Sequence, residues 1–170
     1  MHNDFFIIGP KNDPAGIKEL KSLEALKRIY ETKSTFISRG DDSGTHKKEL
    51  YLWEKLSMKP SGTWYIESGT GMEVTLRITN ERIAYSLCDR ATWLSHKKEI
   101  DTLDSLVKDD PELYNPYSVI VVSPSKSPWV KYDLAKKFAE FLRSTEGQNI
   151  IKNYGIEKFG EPLFFPDVLK

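Results

Sequence analysis

Residues 35–56 read TFISRGDDSGTHKKELYLWEKL and contain three kinds of segment in a fixed order. The apolar run at residues 35–38 predicts a short strand. A polar loop with two glycines follows it. After the loop, Leu50, Trp53 and Leu56 recur at the spacing of an amphipathic helix. The stretch therefore predicts a strand that runs through a glycine loop directly into a helix.

The same order of strand, glycine loop and helix is repeated at residues 64–82. Other apolar runs predict further strands and helices. The strand candidates are residues 5–8, 83–87 and 117–122, and the helix candidates are residues 17–30, 89–96, 130–142 and 145–154, the last opened by a capping box at Thr145 and Gln148. Strands that alternate with helices predict an α/β fold with a mixed, mostly parallel sheet flanked by helices.

The composition narrows the possible classes of function. The 170 residues carry 25 Lys and Arg against 25 Asp and Glu, so no excess of charge favours nucleic acid or a membrane surface. One cysteine, Cys88, excludes an intrachain disulfide. No stretch reaches the ~18 apolar residues of a membrane span, and residues 1–8 do not resemble a signal peptide. We expect no nucleic-acid partner, no membrane insertion and, on this sequence alone, a cytosolic chain.

The first glycine loop has the chemistry of an anion site. Ligands of open α/β sheets bind outside the carboxyl ends of the strands, and a helix N-terminus offers unpaired N–H groups and partial positive charge. Ser43 and Thr45 add hydroxyl groups, and Gly44 lets the backbone approach a ligand closely. Arg39 adds a planar fork of donors that suits an oxyanion.

The second glycine loop offers a similar surface through Gly71 and Thr75. Interpretations that involve no ligand stay open for several of these residues. Asp42 or Ser43 can instead be a plain helix N-cap that stabilises the helix by ~1 kcal/mol. Tyr117, at the start of the 117–122 run, either donates to an anion or packs at the edge of the core with its hydroxyl in water.

An enzyme is the alternative class of function. Ser43, His46 and a neighbouring aspartate have the residue types of a hydrolase, although no Gly-x-Ser-x-Gly elbow is present. A small enzyme could hold a phosphorylated or sulfated substrate on the loop at residues 39–46, through Arg39, Asp41 or Asp42, and His46. The three histidines are too scattered to predict a metal site.

Several blocks of the sequence carry a family resemblance. They are residues 38–46 (SRGDDSGTH), 64–69 (WYIESG), 71–72 (GM), 75–78 (TLRI), 89–92 (DRAT), 115–119 (NPYSV), 144–148 (STEGQ) and 159–164 (FGEPLF). Together they resemble the periplasmic tungstate-binding proteins, the substrate-binding components of ABC importers of the molybdate and tungstate type. The blocks run in order along nearly all of the chain, and a nine-residue loop is a specific signal.

The resemblance implies a two-lobed clamshell of the periplasmic-binding-protein type. Residues 1–10 would be a crossover strand, residues 11–113 the second α/β lobe, and residues 114–170 the return crossover strand and C-terminal helices of an incomplete first lobe. The implied ligand is a tungstate or molybdate oxyanion, with no cofactor, no metal and no catalysis. The implied partner is an ABC permease, and the implied location of the chain is the periplasm or the cell surface. The implied ligand-binding residues are Arg39, Ser43, Gly44, Thr45, Gly71, Thr75 and Tyr117.

One departure from the family sets two further expectations. Members carry roughly a hundred more residues ahead of the position that matches Met1, including a secretion signal and a Thr/Ser-rich loop of the first lobe. A chain without them has one wall of the cleft, so we expect weak or undetectable tungstate binding. The runs at residues 5–8 and 117–122 would lack their usual neighbours, and open sheet edges invite pairing. We therefore expect a homodimer or strand exchange.

Overall fold

The computed structural model describes residues 1–168. The chain divides into a larger unit, Asp4–Tyr114, and a smaller unit that joins Met1–Asn3 to the residues from Asn115 onward. The strands are β1 (His2–Pro10), β2 (Phe36–Ser38), β3 (Tyr65–Glu67), β4 (Ser86–Asp89), β5 (Leu103–Val107) and β6 (Tyr114–Pro116). The helices are α1 (Ser22–Thr32), α2 (Gly44–Lys55), α3 (Met72–Glu81), α4 (Arg90–His96), α5 (Tyr132–Arg143), α6 (Thr145–Asn153) and α7 (Ile156–Phe159). The predicted α/β class is confirmed.

Strand β1 lies at the centre of the larger sheet. It pairs antiparallel with β4, where Phe5 lies opposite Asp89, and antiparallel with β5, where Pro10 lies opposite Leu103. Strand β6 also pairs with β1. Ile7 is fully buried, as expected of a strand covered on both faces. The prediction of mixed sheets is confirmed. Because β1 is antiparallel to both β4 and β5, the predicted excess of parallel pairing is not found around β1.

Parallel pairing occurs between β2 and β3. Phe36 lies opposite Tyr65, and Ser38 lies opposite Glu67. A further parallel bridge joins Phe36 to Tyr85, just ahead of β4. Because parallel strands end at the same edge of a sheet, the loops that follow β2 and β3 are neighbours, and α2 and α3 begin there.

Aromatic rings form the core of the larger unit beside β2. Phe36 meets Trp53 of α2 edge to face, with ring centroids 5.8 Å apart. Tyr30 of α1 meets Trp64 in the same way at 5.5 Å. Such rings bury large apolar areas, and edge-to-face pairs add about 0.5–1.5 kcal/mol beyond that burial. This cluster anchors α2 against the strands that precede the two glycine loops.

Three element boundaries differ from the sequence-based expectation. Helix α1 begins at Ser22 rather than at residue 17, because Glu19 has a φ of 63° and cannot continue a right-handed helix. Strand β4 begins three residues later than predicted, since Ile83 is exposed and has a φ of 50°. Strand β5 lies in a stretch for which no element was predicted.

The run at residues 117–122 does not form the predicted strand. Strand β6 ends at Pro116, and Ile120 is 86% exposed. The N–H of Tyr117 donates to the carbonyl of Met1 at 3.0 Å, but no strand is assigned to the residues that follow. An apolar run of β-branched residues forms a strand only when neighbouring strands complete its hydrogen-bond ladder. The prediction of a return crossover strand over this run is therefore wrong for this structure.

Helices α5 and α6 form the rest of the smaller unit's regular structure, together with the short α7. The cap of α6 is Ser144, whose Oγ accepts from the N–H of Gly147 at 3.1 Å, so the capping box predicted at Thr145 was one residue too late. Helix α5 matches the helix predicted at residues 130–142, and its Leu134 and Phe138 side chains are exposed. Within residues 1–168, no helix is both long and apolar enough to cross a membrane.

Candidate functional site

Backbone hydrogen bonds hold the two glycine loops of the larger unit together. The N–H of Ser68 donates to the carbonyl of Ser38 at 2.9 Å, and the N–H of Gly69 donates to the carbonyl of Arg39 at 2.9 Å. The hydroxyl of Ser68 adds a bond to the Arg39 carbonyl at 3.2 Å. The bonds continue the β2–β3 ladder past the ends of both strands. The two loops therefore form one polar surface at the edge of the sheet.

The first loop delivers the N-terminus of α2 to this surface. Ser43 is the N-cap, and its Oγ accepts from the N–H of His46 at 3.3 Å, so the capping interpretation is confirmed. Gly44 is the first helical residue, and a Cβ placed on it would meet no atom within 4 Å. Thr45 is buried. The space on the Cβ side of Gly44, at the start of α2, is therefore open, and a helix N-terminus favours an anion.

Arg39 already holds a carboxylate in this loop. Its Nη2 donates to Oδ2 of Asp41 at 2.5 Å, and the N–H of Ser43 donates to Oδ1 of the same carboxylate at 3.2 Å. Burial raises the pKa of Asp41, but the hydrogen bonds from Ser43 and Arg39 outweigh it and hold that pKa below its ordinary value. The Arg39 guanidinium and the Ser43 N–H thus converge on one negatively charged group.

The second loop delivers the N-terminus of α3. Its N-cap is Gly71, which has no side chain to satisfy the first N–H groups of the helix. Thr75 is fully buried, and its hydroxyl donates to the carbonyl of Gly71 at 3.1 Å. The Oγ of Ser68 lies 2.8 Å from that hydroxyl. Thr75 therefore braces the loop through its hydroxyl, while the backbone at Gly71 stays open for a ligand.

Six of the seven predicted site residues belong to these two loops and their helices. They are Arg39, Ser43, Gly44, Thr45, Gly71 and Thr75. The seventh, Tyr117, lies in the smaller unit, where its hydroxyl accepts from Nδ2 of Asn115 at 3.2 Å and its ring meets Phe164 edge to face. The larger unit therefore carries a self-contained candidate site built from the two loops.

The hydrolase arrangement does not form in this loop. The ring Nδ1 of His46 accepts from the backbone N–H of Asp42 at 3.1 Å, which leaves Nε2 to carry the proton of the neutral ring. The Oγ of Ser43 accepts from the backbone of His46 and is not hydrogen-bonded to its ring. No nucleophile–base pair results. Among residues 1–168, no group of three or more His, Cys, Asp or Glu side chains could hold a metal ion.

Sequence reasoning missed Glu49, a buried carboxyl beneath the first loop. Glu49 is 2% exposed, and its Oε1 accepts from Trp53 Nε1 at 3.1 Å and from the hydroxyl of Tyr65 at 2.7 Å. Burial raises its pKa, against the lowering effect of these hydrogen bonds. Helical spacing could have found it, because residue 49 lies four positions before Trp53 on the buried face of α2.

Comparison with known proteins identifies the fold. The model of the PBP superfamily domain matches residues 1–146 of the chain. The chain belongs to the PBP superfamily. Its two glycine loops, at the carboxyl ends of β2 and β3, are accordingly the loops of a PBP superfamily domain.

Relatives in the PBP superfamily include tungstate-binding proteins. The tungstate-binding protein TupA of Peptoclostridium acidaminophilum is 46% identical over 173 residues, which is 100% of this chain and 60% of that protein. The solved TupA of Desulfovibrio alaskensis G20 is 38% identical, with a TM-score of 0.84, over 98% of this chain and 68% of that one. The solved tungstate ABC transporter protein of Geobacter sulfurreducens is 48% identical, with a TM-score of 0.81, over 91% of this chain and 66% of that one. The chain spans 50–63% of the length of the curated relatives it matches.

Proposed function

We propose that this chain contributes the oxyanion-binding wall of an extracytoplasmic solute-binding protein, the component that delivers tungstate or molybdate to an ABC importer. The observation that carries the proposal is the convergence of Arg39 and the Ser43 N–H on one carboxylate, at the N-terminus of α2. The same donors suit a tetrahedral dianion. The names of the relatives support tungstate as the ligand.

The proposal assigns binding rather than catalysis to the site. Arg39, Ser43, Gly44 and Thr45 provide the first loop's donors, and Gly71 and Thr75 belong to the second loop. The oxyanion is a transported ligand, so no cofactor takes part. A permease partner and a periplasmic or cell-surface location follow from the same transport role.

The domain organisation is proposed on the same basis. Residues 11–113 would be one lobe of the binding protein, with residues 1–10 as a crossover strand and residues 114–170 contributing to the other lobe. The division of the chain after Asn3 and after Tyr114 supports boundaries close to these. A lobe that meets the oxyanion from one side leaves it partly hydrated, which weakens its charge-assisted hydrogen bonds. We therefore expect the chain alone to bind tungstate weakly.

Thermal unfolding with added oxyanions tests the function. A ligand at a hundred times its dissociation constant stabilises the folded state by about 2.7 kcal/mol. We expect tungstate and molybdate to raise the melting temperature progressively, and phosphate and sulfate to raise it less. A shift with phosphate esters alone would contradict the proposal and favour an enzyme. Nanomolar affinity of the 170 residues in calorimetry would contradict the expectation of weak binding.

Replacing Gly44 with alanine tests the position of the ligand. The added methyl group meets no atom within 4 Å, and residue 44 already has helical backbone, so the free energy of unfolding should rise slightly or stay unchanged. The same methyl group would occupy the space beside the first N–H groups of α2, so we expect affinity for tungstate to fall about tenfold or more. Unfolding and titration of one sample measure both effects. Unchanged affinity would place the oxyanion elsewhere.

We propose that the smaller unit also mediates a homodimer. The run at residues 117–122 and the α5 side chains Leu134 and Phe138 expose apolar surface that a second copy could cover. Analytical ultracentrifugation should show association that strengthens with concentration. Phe138→Glu should abolish it, whereas Lys137→Glu, one residue away, should leave it intact. A monomer at all concentrations would rule the dimer out.

A further inference from the structure

Glu49 links the helix that carries one anion site to the strand that precedes the other. Its carboxyl Oε1 accepts from Tyr65 of β3 at 2.7 Å and from Trp53 of α2 at 3.1 Å. Ser38, the last residue of β2, is fully buried, and its Oγ makes no hydrogen bond of ordinary geometry. The Ser38 hydroxyl also lowers the pKa of Glu49. The group therefore sits where α2, β2 and β3 meet.

The position of this carboxyl matters because of its distance from the start of α2. Glu49 lies five positions after Gly44, which corresponds to about 7.5 Å along the helix axis. That separation is within the screening length of about 8 Å at physiological salt. A negative charge at Glu49 would therefore repel a dianion bound at the helix N-terminus.

We infer that Glu49 is a positioning residue whose protonation couples oxyanion binding to pH, an inference that rests on the proposed function. The carboxyl joins α2 to β3 in both of its charge states, because Oε1 can accept hydrogen bonds from Trp53 and Tyr65 in both. Its charge opposes the dianion only when it is ionised. Binding therefore draws a proton onto Glu49, and affinity falls as the pH rises through the pKa of this group.

The other titratable and charged groups around Glu49 decide which variants are needed as controls. His46 lies three residues earlier on α2, and its charge lowers the pKa of Glu49. Tyr65 of β3 is the second neighbour. Burial and then the charge of Glu49 raise the pKa of Tyr65 far above its ordinary range, so Tyr65 stays neutral. Glu67 of the same strand adds a second acidic charge near Tyr65. Arg39 follows Ser38 and is paired with Asp41. His46→Gln is therefore the control for the second titratable group of α2 that acts on Glu49.

The test is a tungstate titration of the full chain and its Glu49→Gln variant between about pH 5 and pH 8.5. Glutamine keeps an oxygen that accepts from Tyr65 and Trp53 but carries no charge. We expect the wild-type dissociation constant to rise about tenfold across this range, and that of the variant to change less. Both proteins meet the same tungstate species at each pH, so the difference between them isolates Glu49.

Two more variants keep the inference testable if Glu49→Gln folds poorly. Tyr65→Phe removes a hydrogen bond that lowers the pKa of Glu49, so the midpoint of the affinity change should move to higher pH. His46→Gln should leave the pH dependence in place. A midpoint unmoved in Tyr65→Phe, or a pH dependence lost in His46→Gln, overturns the inference, as do parallel curves for wild type and Glu49→Gln. A thermal shift with phosphate esters and none with tungstate overturns the proposed function as well.

The pH dependence of unfolding of the unliganded chain tests the protonation of Glu49 independently of binding. Because the pKa of Glu49 is raised on folding, the folded chain holds this proton more tightly than the unfolded chain does. The free energy of unfolding should therefore fall as the pH rises from the ordinary value of 4.5 to the folded pKa. Glu49→Gln should lose this part of the slope. An identical slope in the variant would contradict a buried titrating carboxyl and overturn the inference.

Discussion

Arg39→Ala is expected to remove most of the affinity for tungstate. Arg39 is the charged donor of the first loop, and its Nη2 already holds the Asp41 carboxylate at 2.5 Å. Loss of one partner from a buried, hydrogen-bonded charge pair typically costs about 2–5 kcal/mol, so we expect roughly a hundredfold loss or more. The variant also leaves Asp41 without its counter-ion, and that carboxylate would then repel the oxyanion. Isothermal titration and thermal shift with tungstate measure the loss.

Two further variants separate charge from geometry at this position. Arg39→Lys keeps the positive charge but loses the planar fork, so we expect it to recover only a small part of the affinity. Arg82→Ala, at the C-terminal cap of α3, removes an exposed arginine and should leave affinity unchanged. Equal affinity of wild type and Arg39→Ala would contradict the assignment of the site to this loop. Equal losses in Arg39→Ala and Arg82→Ala would point to a general charge effect instead.

The sequence predicted the parts of the fold that depend on local periodicity. Strands β2 and β3, and the helices that follow their loops, were all predicted within a few residues, because short apolar runs and helical spacing coincide there with glycine loops. The start of α1 was placed too early, because the buried Ile17 fits the helical spacing although Glu19 interrupts the helix. Periodicity identifies which residues are buried more reliably than it identifies the backbone that carries them.

The errors in the sheet come from interactions between distant residues. Residues 117–122 have strong strand propensity, yet they form no strand because propensity cannot supply the neighbouring hydrogen-bond ladder. Strand β5 has little apolar alternation. It forms because it pairs with β1, with Ile7 opposite Val107. The antiparallel direction of β1 is equally non-local, and a run of apolar residues contains no information about it.

The candidate site was predictable in its residue types and less so in its internal contacts. A glycine loop after a strand predicted an open helix N-terminus, and Gly44 has that geometry. The capture of Asp41 by Arg39 and the Ser43 N–H was not predicted, because three residues in one loop can be arranged in many ways. Glu49 was missed because burial of a charged residue depends on partners from another strand, here Tyr65.

Trp53→Ala is expected to have the largest effect on stability. Trp53 is 1% exposed, its ring packs against Phe36 and Trp64, and its Nε1 donates to Glu49. Truncation of a buried tryptophan costs about 3–5 kcal/mol, a large share of the roughly 5–15 kcal/mol that stabilises a typical domain. Chemical denaturation followed by circular dichroism measures the change. Trp129→Ala is the matched control, since Trp129 is 82% exposed and its loss should change stability by less than about 0.5 kcal/mol.

Trp53→Phe separates the packing of this residue from its hydrogen bond. Phenylalanine keeps an aromatic ring among Phe36 and Trp64, so most of the core contact survives, but Glu49 loses one of its donors. Because that hydrogen bond lowers the pKa of Glu49, its loss should raise the pKa further and make unfolding more strongly pH-dependent. A Trp53→Phe variant as unstable as Trp53→Ala, with an unchanged pH profile, would show that Trp53 acts through its volume alone. A Trp53→Phe variant that keeps most of the stability but has a changed pH profile would show that the aromatic core and the Glu49 carboxyl are energetically coupled.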